Sequence, residues 1–276
     1  MFPKEKVVRL PVYRIIPPSK AEVPLLISVP HCGTQFPDEL KEEYKPELSK
    51  APDDTDWFVD ELYNFVSEMG AGMIAANYSR WVIDLNRDPQ SKPLYNDGRI
   101  ITALCTTTDF LGNAIYKDER TEVALSEVNR RVETYYQPYH VAIQKQLDEL
   151  KNKFGKVVLW DCHSIRQVVP TIQKDKFPDL IVGDADEASA AQEFIHVALT
   201  NLKSGPYHVH HNHPFKGGYI TRYFGQPQQN QHALQLEMCK LHYMDDSETE
   251  FDLGRANKMR EVLKRTLGGL IDVMMK

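Results

Sequence analysis

The chain has 276 residues, 42% of them hydrophobic and 26% charged, with 14 Gly and 17 Pro, a composition that can bury a substantial core without repeats or covalent staples. Asp and Glu exceed Lys and Arg by 39 to 33, a formal charge of -6, so there is no global basic field for a polyanion and nucleic acid is not expected as a partner. No run reaches the roughly 18 apolar residues of a membrane span, and Met1-Phe2-Pro3-Lys4-Glu5-Lys6 lacks the apolar stretch of a signal peptide.

In chain order, residues 24–30 read as a buried strand that leads into Pro30-His31-Cys32-Gly33. Asp53-Asp54-Thr55-Asp56 then opens a predicted helix carrying Trp57, Phe58, Leu62, Phe65 and Val66, with Asp54 or Thr55 as its cap. Gly72–Ala76 and Trp81–Ile83 flank Asn77-Tyr78-Ser79-Arg80 as a hairpin or adjacent strands, and the second ends in Asp84-Leu85-Asn86-Arg87. From Glu122 to Phe154 the pattern is helical, broken at Pro138 into two helices or a sharp kink and stopped by Gly155. A strand at 156–160 follows and runs out at Asp161-Cys162-His163-Ser164. A strand at Leu180–Val182, a helix over 187–203, a strand at Ala233–Met238 and an amphipathic helix near 253–275 complete the chain. The alternation predicts one α/β domain over 1–276, three layers α/β/α around a mostly parallel mixed sheet.

The four cysteines, Cys32, Cys105, Cys162 and Cys239, form no C-x-x-C pair, so neither a zinc knuckle nor a disulfide framework is indicated. Free thiols fit the reducing cytoplasm, the expected compartment.

His31 and His163 each follow a buried strand, and ligands of open α/β sheets bind at the carboxyl ends of the strands. Two imidazoles there suggest zinc, which in catalytic sites takes three protein ligands and a water. The third ligand is sought among Asp53, Asp54 and Asp56, with Asp56 favoured. Bound zinc lowers the pKa of its water to about 7, and Glu237, on the late strand, is the candidate general base for it. Asp161 and His163 share a face if strand geometry persists, which directs Cys162 to the other and leaves Asp161 to orient a ligand or cap a turn. Arg80, Arg87 and Arg222 suit an acidic substrate, since a guanidinium pairs bidentately with a carboxylate, and Asn86 adds donor and acceptor capacity beside Arg87. His208, His210, His211 and His213 have no cysteine or acidic neighbours and read as exposed strand and loop histidines.

Ser28–Thr34, Asp54–Trp57, Tyr78–Arg87, Asp161–Ile165, Phe215–Arg222 and His232–Met238, in this order, resemble the N-formylglutamate amidohydrolases, which release formate and glutamate at the end of one route of histidine degradation. More distantly the chain is similar to zinc carboxypeptidases and aspartoacylases. The resemblance implies a phosphorylase/hydrolase-like α/β fold, one zinc held by His31 and His163, Glu237 as acid and base, and Asn86-Arg87 gripping a substrate carboxylate. It also brings Tyr219, with Arg222, among the substrate-binding residues. Those relatives often carry a glutamate three residues after the first histidine; here that residue is Thr34, and Asp56 takes its place as third ligand. The expected activity is metal-dependent hydrolysis of N-formyl-L-glutamate. The competing readings are a hydrolase of another N-acyl amino acid and a noncatalytic metal- or ligand-binding protein.

Overall fold

Residues 10–90 and 103–276 are described in a computed structural model; the Met1–Lys6 stretch lies outside them. The strand expected at 24–30 forms as β2 (Leu25–Val29) and is buried throughout, as a strand covered on both faces must be. It belongs to a seven-stranded sheet with β1 (Tyr13–Ile16), β3 (Gly72–Ala76), β4 (Val157–Ile165), β5 (Leu180–Gly183), β6 (Val209–His211) and β7 (Gln231–Cys239), in the order β1-β3-β2-β4-β7-β5-β6. Neighbours from β3 through β7 run parallel, β1 is antiparallel to β3, and β5 with β6 is antiparallel to β7. This is the mostly parallel mixed sheet expected from the sequence.

The helices are α1 (Pro46–Ser49), α2 (Val59–Leu62), α3 (Leu125–Arg131), α4 (Gln137–Phe154), α5 (Gln192–Lys203), α6 (Tyr219–Phe224) and α7 (Leu253–Met274). Side chains of β4 alternate between two cores: Val158, Trp160 and Cys162 pack with residues of α2, α5 and α7, whereas Val157 and Leu159 pack with α4 and α6. Helices therefore cover both faces, giving the three layers. Among the described residues no helix is long and apolar enough to cross a membrane.

Several boundaries differ from expectation. The helix expected after Asp56 amounts to α2 and a 3-10 segment over Asn64–Met69, because Phe58 takes a left-handed conformation (φ 62°) and interrupts any helix from Asp53. Neither Asp54 nor Thr55 caps it: the Asp54 carboxylate accepts from the Trp81 indole and the Phe110 amide instead. Trp81–Ile83 is a turn, not a strand; its apolar character reflects burial in the core beside α4. The long helical stretch begins at Leu125 and is continuous, with a π segment at Val132–Tyr136 between α3 and α4. Pro138 occupies the first turn of α4, so its missing N–H falls where the hydrogen-bond register changes. The helix over 187–203 starts only at Gln192. Most consequential for the site, β4 extends through His163 to Ile165, so the histidine lies within the strand and not beyond its end.

Candidate metal centre

One face of the sheet changes from apolar to polar along its central strands. On β4 the residues facing α4 and α6 are Val157 and Leu159, followed by Asp161 and His163; in β7, Ala233 gives way to Gln235 and Glu237. Strand period and parallel register align these changes, since Asp161 pairs with Gln235 and His163 with Glu237. On the opposite face the residues beside these positions, Trp160, Cys162, Leu234 and Leu236, are apolar. The polar half faces the region where β2 ends and delivers His31.

His31, Asp56 and His163, all buried, bring one ligand atom each within 4.8 Å of one another. The two imidazole centroids are 4.9 Å apart. His163 Nδ1 is 3.2 Å and His31 Nδ1 3.7 Å from Asp56 Oδ2, so all three atoms face a common point. The Asp56 amide donates to the His31 carbonyl at 3.0 Å, which ties the acidic loop to the end of β2.

The other nitrogen of each ring meets a carboxylate. His31 Nε2 lies 2.8 Å from Asp84 Oδ1, and His163 Nε2 lies 2.9 Å from Asp161 Oδ2. An N–H at Nε2 presents the Nδ1 lone pair inward, the usual arrangement around metal-bound histidine. His31 Nδ1 is buried without a hydrogen-bond partner, and two imidazoles with one carboxylate form a donor set suited to zinc. The residues present thus fit a divalent cation. Burial works against charge on His163, but the Asp161 and Asp56 carboxylates outweigh it and raise its imidazole well above the usual range. Burial likewise opposes the Asp56 carboxylate, and the two imidazoles, His163 hydrogen-bonded to it and His31 beside it, prevail and hold it below its usual range. A proton on His163 Nδ1 lies in the direction a cation would take, so a cation held there would displace it.

Glu237 shares its face with His163 on the adjacent strand. Burial pushes its carboxyl up to about 8, against the pull of the His163 imidazole.

The N-formylglutamate amidohydrolase family model matches residues 23–244. The chain belongs to the N-formylglutamate amidohydrolase family. Two relatives named N-formylglutamate deformylase, from Pseudomonas putida and Pseudomonas aeruginosa, are 37% and 39% identical over 91% and 90% of this chain and 94% of their own length. The crystal structure of an N-formylglutamate amidohydrolase from Ralstonia eutropha superposes with a TM-score of 0.77 at 26% identity, covering 95% of this chain and 97% of that one. A protein of Agrobacterium tumefaciens shares the fold, with a TM-score of 0.72 at 15% identity over 94% and 96%.

Within this member of the family, the expected residues are not equally placed. His31, Asp56 and His163 converge, with Glu237 on the adjoining strand. Asp53 is diverted to Arg166, and Asp54 to Trp81 and Phe110, which leaves Asp56 alone among the three acids facing the histidines. Arg80 is buried, with its guanidinium 2.6 Å from Asp84 Oδ2 and stacked over Phe110. Asn86 is also buried: its Oδ1 accepts from the Ile220 amide at 2.7 Å, while Nδ2 lies 2.9 Å from His163 Nε2 and 3.5 Å from Gln235 Oε1. Arg87 and Tyr219 are half-buried, and Arg222, also half-buried, donates through Nε to the Gly217 carbonyl at 3.0 Å. Of the histidine-rich run, His208, His210 and His213 are exposed as expected, while His211 meets the buried Asp184.

Two site residues were missed in the sequence. Asp84 holds His31, Arg80 and the Asn86 amide, and its position four residues after Arg80 was the available clue. Gln235 accepts from the Gly218 amide at 2.7 Å and stands two residues before Glu237, on the same strand face.

Proposed function

We propose that this protein hydrolyses N-formyl-L-glutamate to formate and L-glutamate, with one divalent cation, zinc foremost, held by His31 Nδ1, His163 Nδ1 and Asp56. The convergence of these three donors in a chain so similar to named deformylases carries the reading. Such a cation, when bound, polarises a carbonyl and acidifies water.

The chain's own groups supply the rest. Asp84 and Asp161 hold the Nε2 protons and fix the direction of both rings. Glu237 takes the proton of the attacking water at its carboxylate and returns it to the amide nitrogen as the C–N bond breaks, which a carboxyl of near-neutral pKa does readily. Arg87 and Arg222 anchor the two substrate carboxylates, and Tyr219 closes the same side. Arg80 and Asn86 take supporting roles in place of the substrate contacts first expected: Arg80 beneath Asp84, Asn86 between His163 and Ile220. We assign the whole chain to one catalytic domain, since all seven strands form one sheet. The four free cysteines support a cytoplasmic enzyme of histidine degradation.

The test is formate release from N-formyl-L-glutamate, with and without chelator. Release that stops on chelation and returns with zinc is expected. No release, while another N-acyl amino acid is hydrolysed, overturns the substrate; full activity in protein free of divalent ions overturns the metal.

A further inference from the structure

His211 ends β6, and its Nε2 lies 2.6 Å from Oδ2 of Asp184, a wholly buried residue that directly follows β5. Asp184 Oδ1 accepts from Asn212 Nδ2 at 2.6 Å and from the Glu187 amide at 2.8 Å, while the Asp184 amide donates to Asn212 Oδ1 at 3.0 Å. One carboxylate thus gathers two chain segments into a knot. Both are bent into conformations that L-residues rarely take: Ala185, Asp186, Glu187 and Asn212 have φ of 58°, 56°, 68° and 54°. Such a turn persists only where its surroundings dictate it.

From this knot a short path leads to the proposed substrate side. The Ala185 amide donates to the Lys216 carbonyl at 2.6 Å, and a Cβ on Gly183 would lie 2.4 Å from the Gly217 nitrogen, so the two backbones touch because Gly183 has no side chain. Gly217 in turn offers its carbonyl to Arg222 Nε. The metal side of the segment is tied separately, by Gly218 to Gln235 and Ile220 to Asn86.

We propose that the Asp184–His211–Asn212 knot positions Arg222 for the substrate carboxylate through the contact of Gly183 with Gly217. The inference rests on the reading that Arg222 binds that carboxylate. His211 is a positioning residue: it touches neither substrate nor metal ligands, so loosening it acts on substrate binding and leaves the metal in place.

Steady-state kinetics with N-formyl-L-glutamate and N-formyl-L-alanine, together with metal content and Tm, test this on H211A, H211Q, N212G and R222A. H211A should raise KM for the glutamate substrate by ~10-fold at nearly unchanged kcat and metal content, the consequence of a misplaced anchor. H211Q, which retains a donor for Asp184, should restore most of the loss. N212G keeps the left-handed backbone while removing the side-chain bonds to Asp184, and carries the same expectation should H211A fold poorly. If folded, metal-replete H211A and N212G keep the wild-type KM while R222A raises it, the knot has no positioning role and the Arg222 reading stands. If R222A also leaves the preference for the glutamate substrate unchanged, the Arg222 reading fails and this inference falls with it.

Discussion

The Asp84 carboxylate lies 2.8 Å from His31 Nε2 and receives Arg80 on its other oxygen. A single buried acid therefore sets which nitrogen of His31 faces Asp56, and a buried arginine keeps that acid charged and in place. Burial alone would raise the Asp84 carboxyl; Arg80 and His31 overcome it and hold it well below the usual range.

Asp84→Asn removes the charge while preserving the shape, so His31 loses the partner that fixes its tautomer. Metal affinity should fall by roughly 10- to 100-fold, the typical effect of losing such an outer partner. Competition with a chromophoric chelator measures it, and an unchanged affinity would show that Asp84 serves Arg80 and the Asn86 turn alone.

Glu237→Gln should lower kcat by ~10²-fold or more, as for lost general acid–base catalysis, while bound metal stays at the wild-type level. Turnover assays paired with elemental analysis separate the two effects. A near-normal rate removes Glu237 from the proton transfer.

Arg87→Ala should chiefly weaken kcat/KM for the dicarboxylic substrate and narrow its advantage over N-formyl-L-alanine, because a substrate carboxylate loses its paired cation. Equal losses on both substrates would instead indicate damage to the Asp84 turn, since Arg87 Nε also lies 3.7 Å from Asp84 Oδ2.

His140 links acid stability to the same turn. Its ring stacks on Tyr136 at 4.0 Å, its Nε2 meets the Leu85 carbonyl at 2.9 Å, and burial depresses its pKa from 6.5 to about 4. The folded state thus holds the neutral imidazole, whereas the unfolded chain binds a proton already near pH 6.5. Stability from this group is present above that pH and is lost as pH falls toward 4, by up to about 3 kcal/mol. Urea unfolding at pH 7, 5.5 and 4.5 should show a shallower decline for His140→Gln than for the wild type; parallel declines would assign the acid sensitivity to other groups.

The buried strands, the mostly parallel character of their sheet and the histidines they deliver were legible because burial on both faces demands continuous apolar runs, as in Leu25–Val29 and Val157–Trp160. The period of two also told that Asp161 and His163 share a face. The Trp81–Ile83 turn was misread as a strand because a buried turn and a buried strand both need apolar residues, and only chain path distinguishes them.

Sequence by itself determined the layered α/β class, the strand that leads into His31 and the late strand that carries Glu237, since each depends on local periodicity. Tertiary structure alone decided that Asp56, not Asp53 or Asp54, faces the histidines, that Nδ1 is the inward atom of both rings, and that Asp84 stands behind His31. Those outcomes depend on hydrogen bonds between segments dozens of residues apart, whose partners are chosen by packing of the whole sheet and not by spacing along the chain.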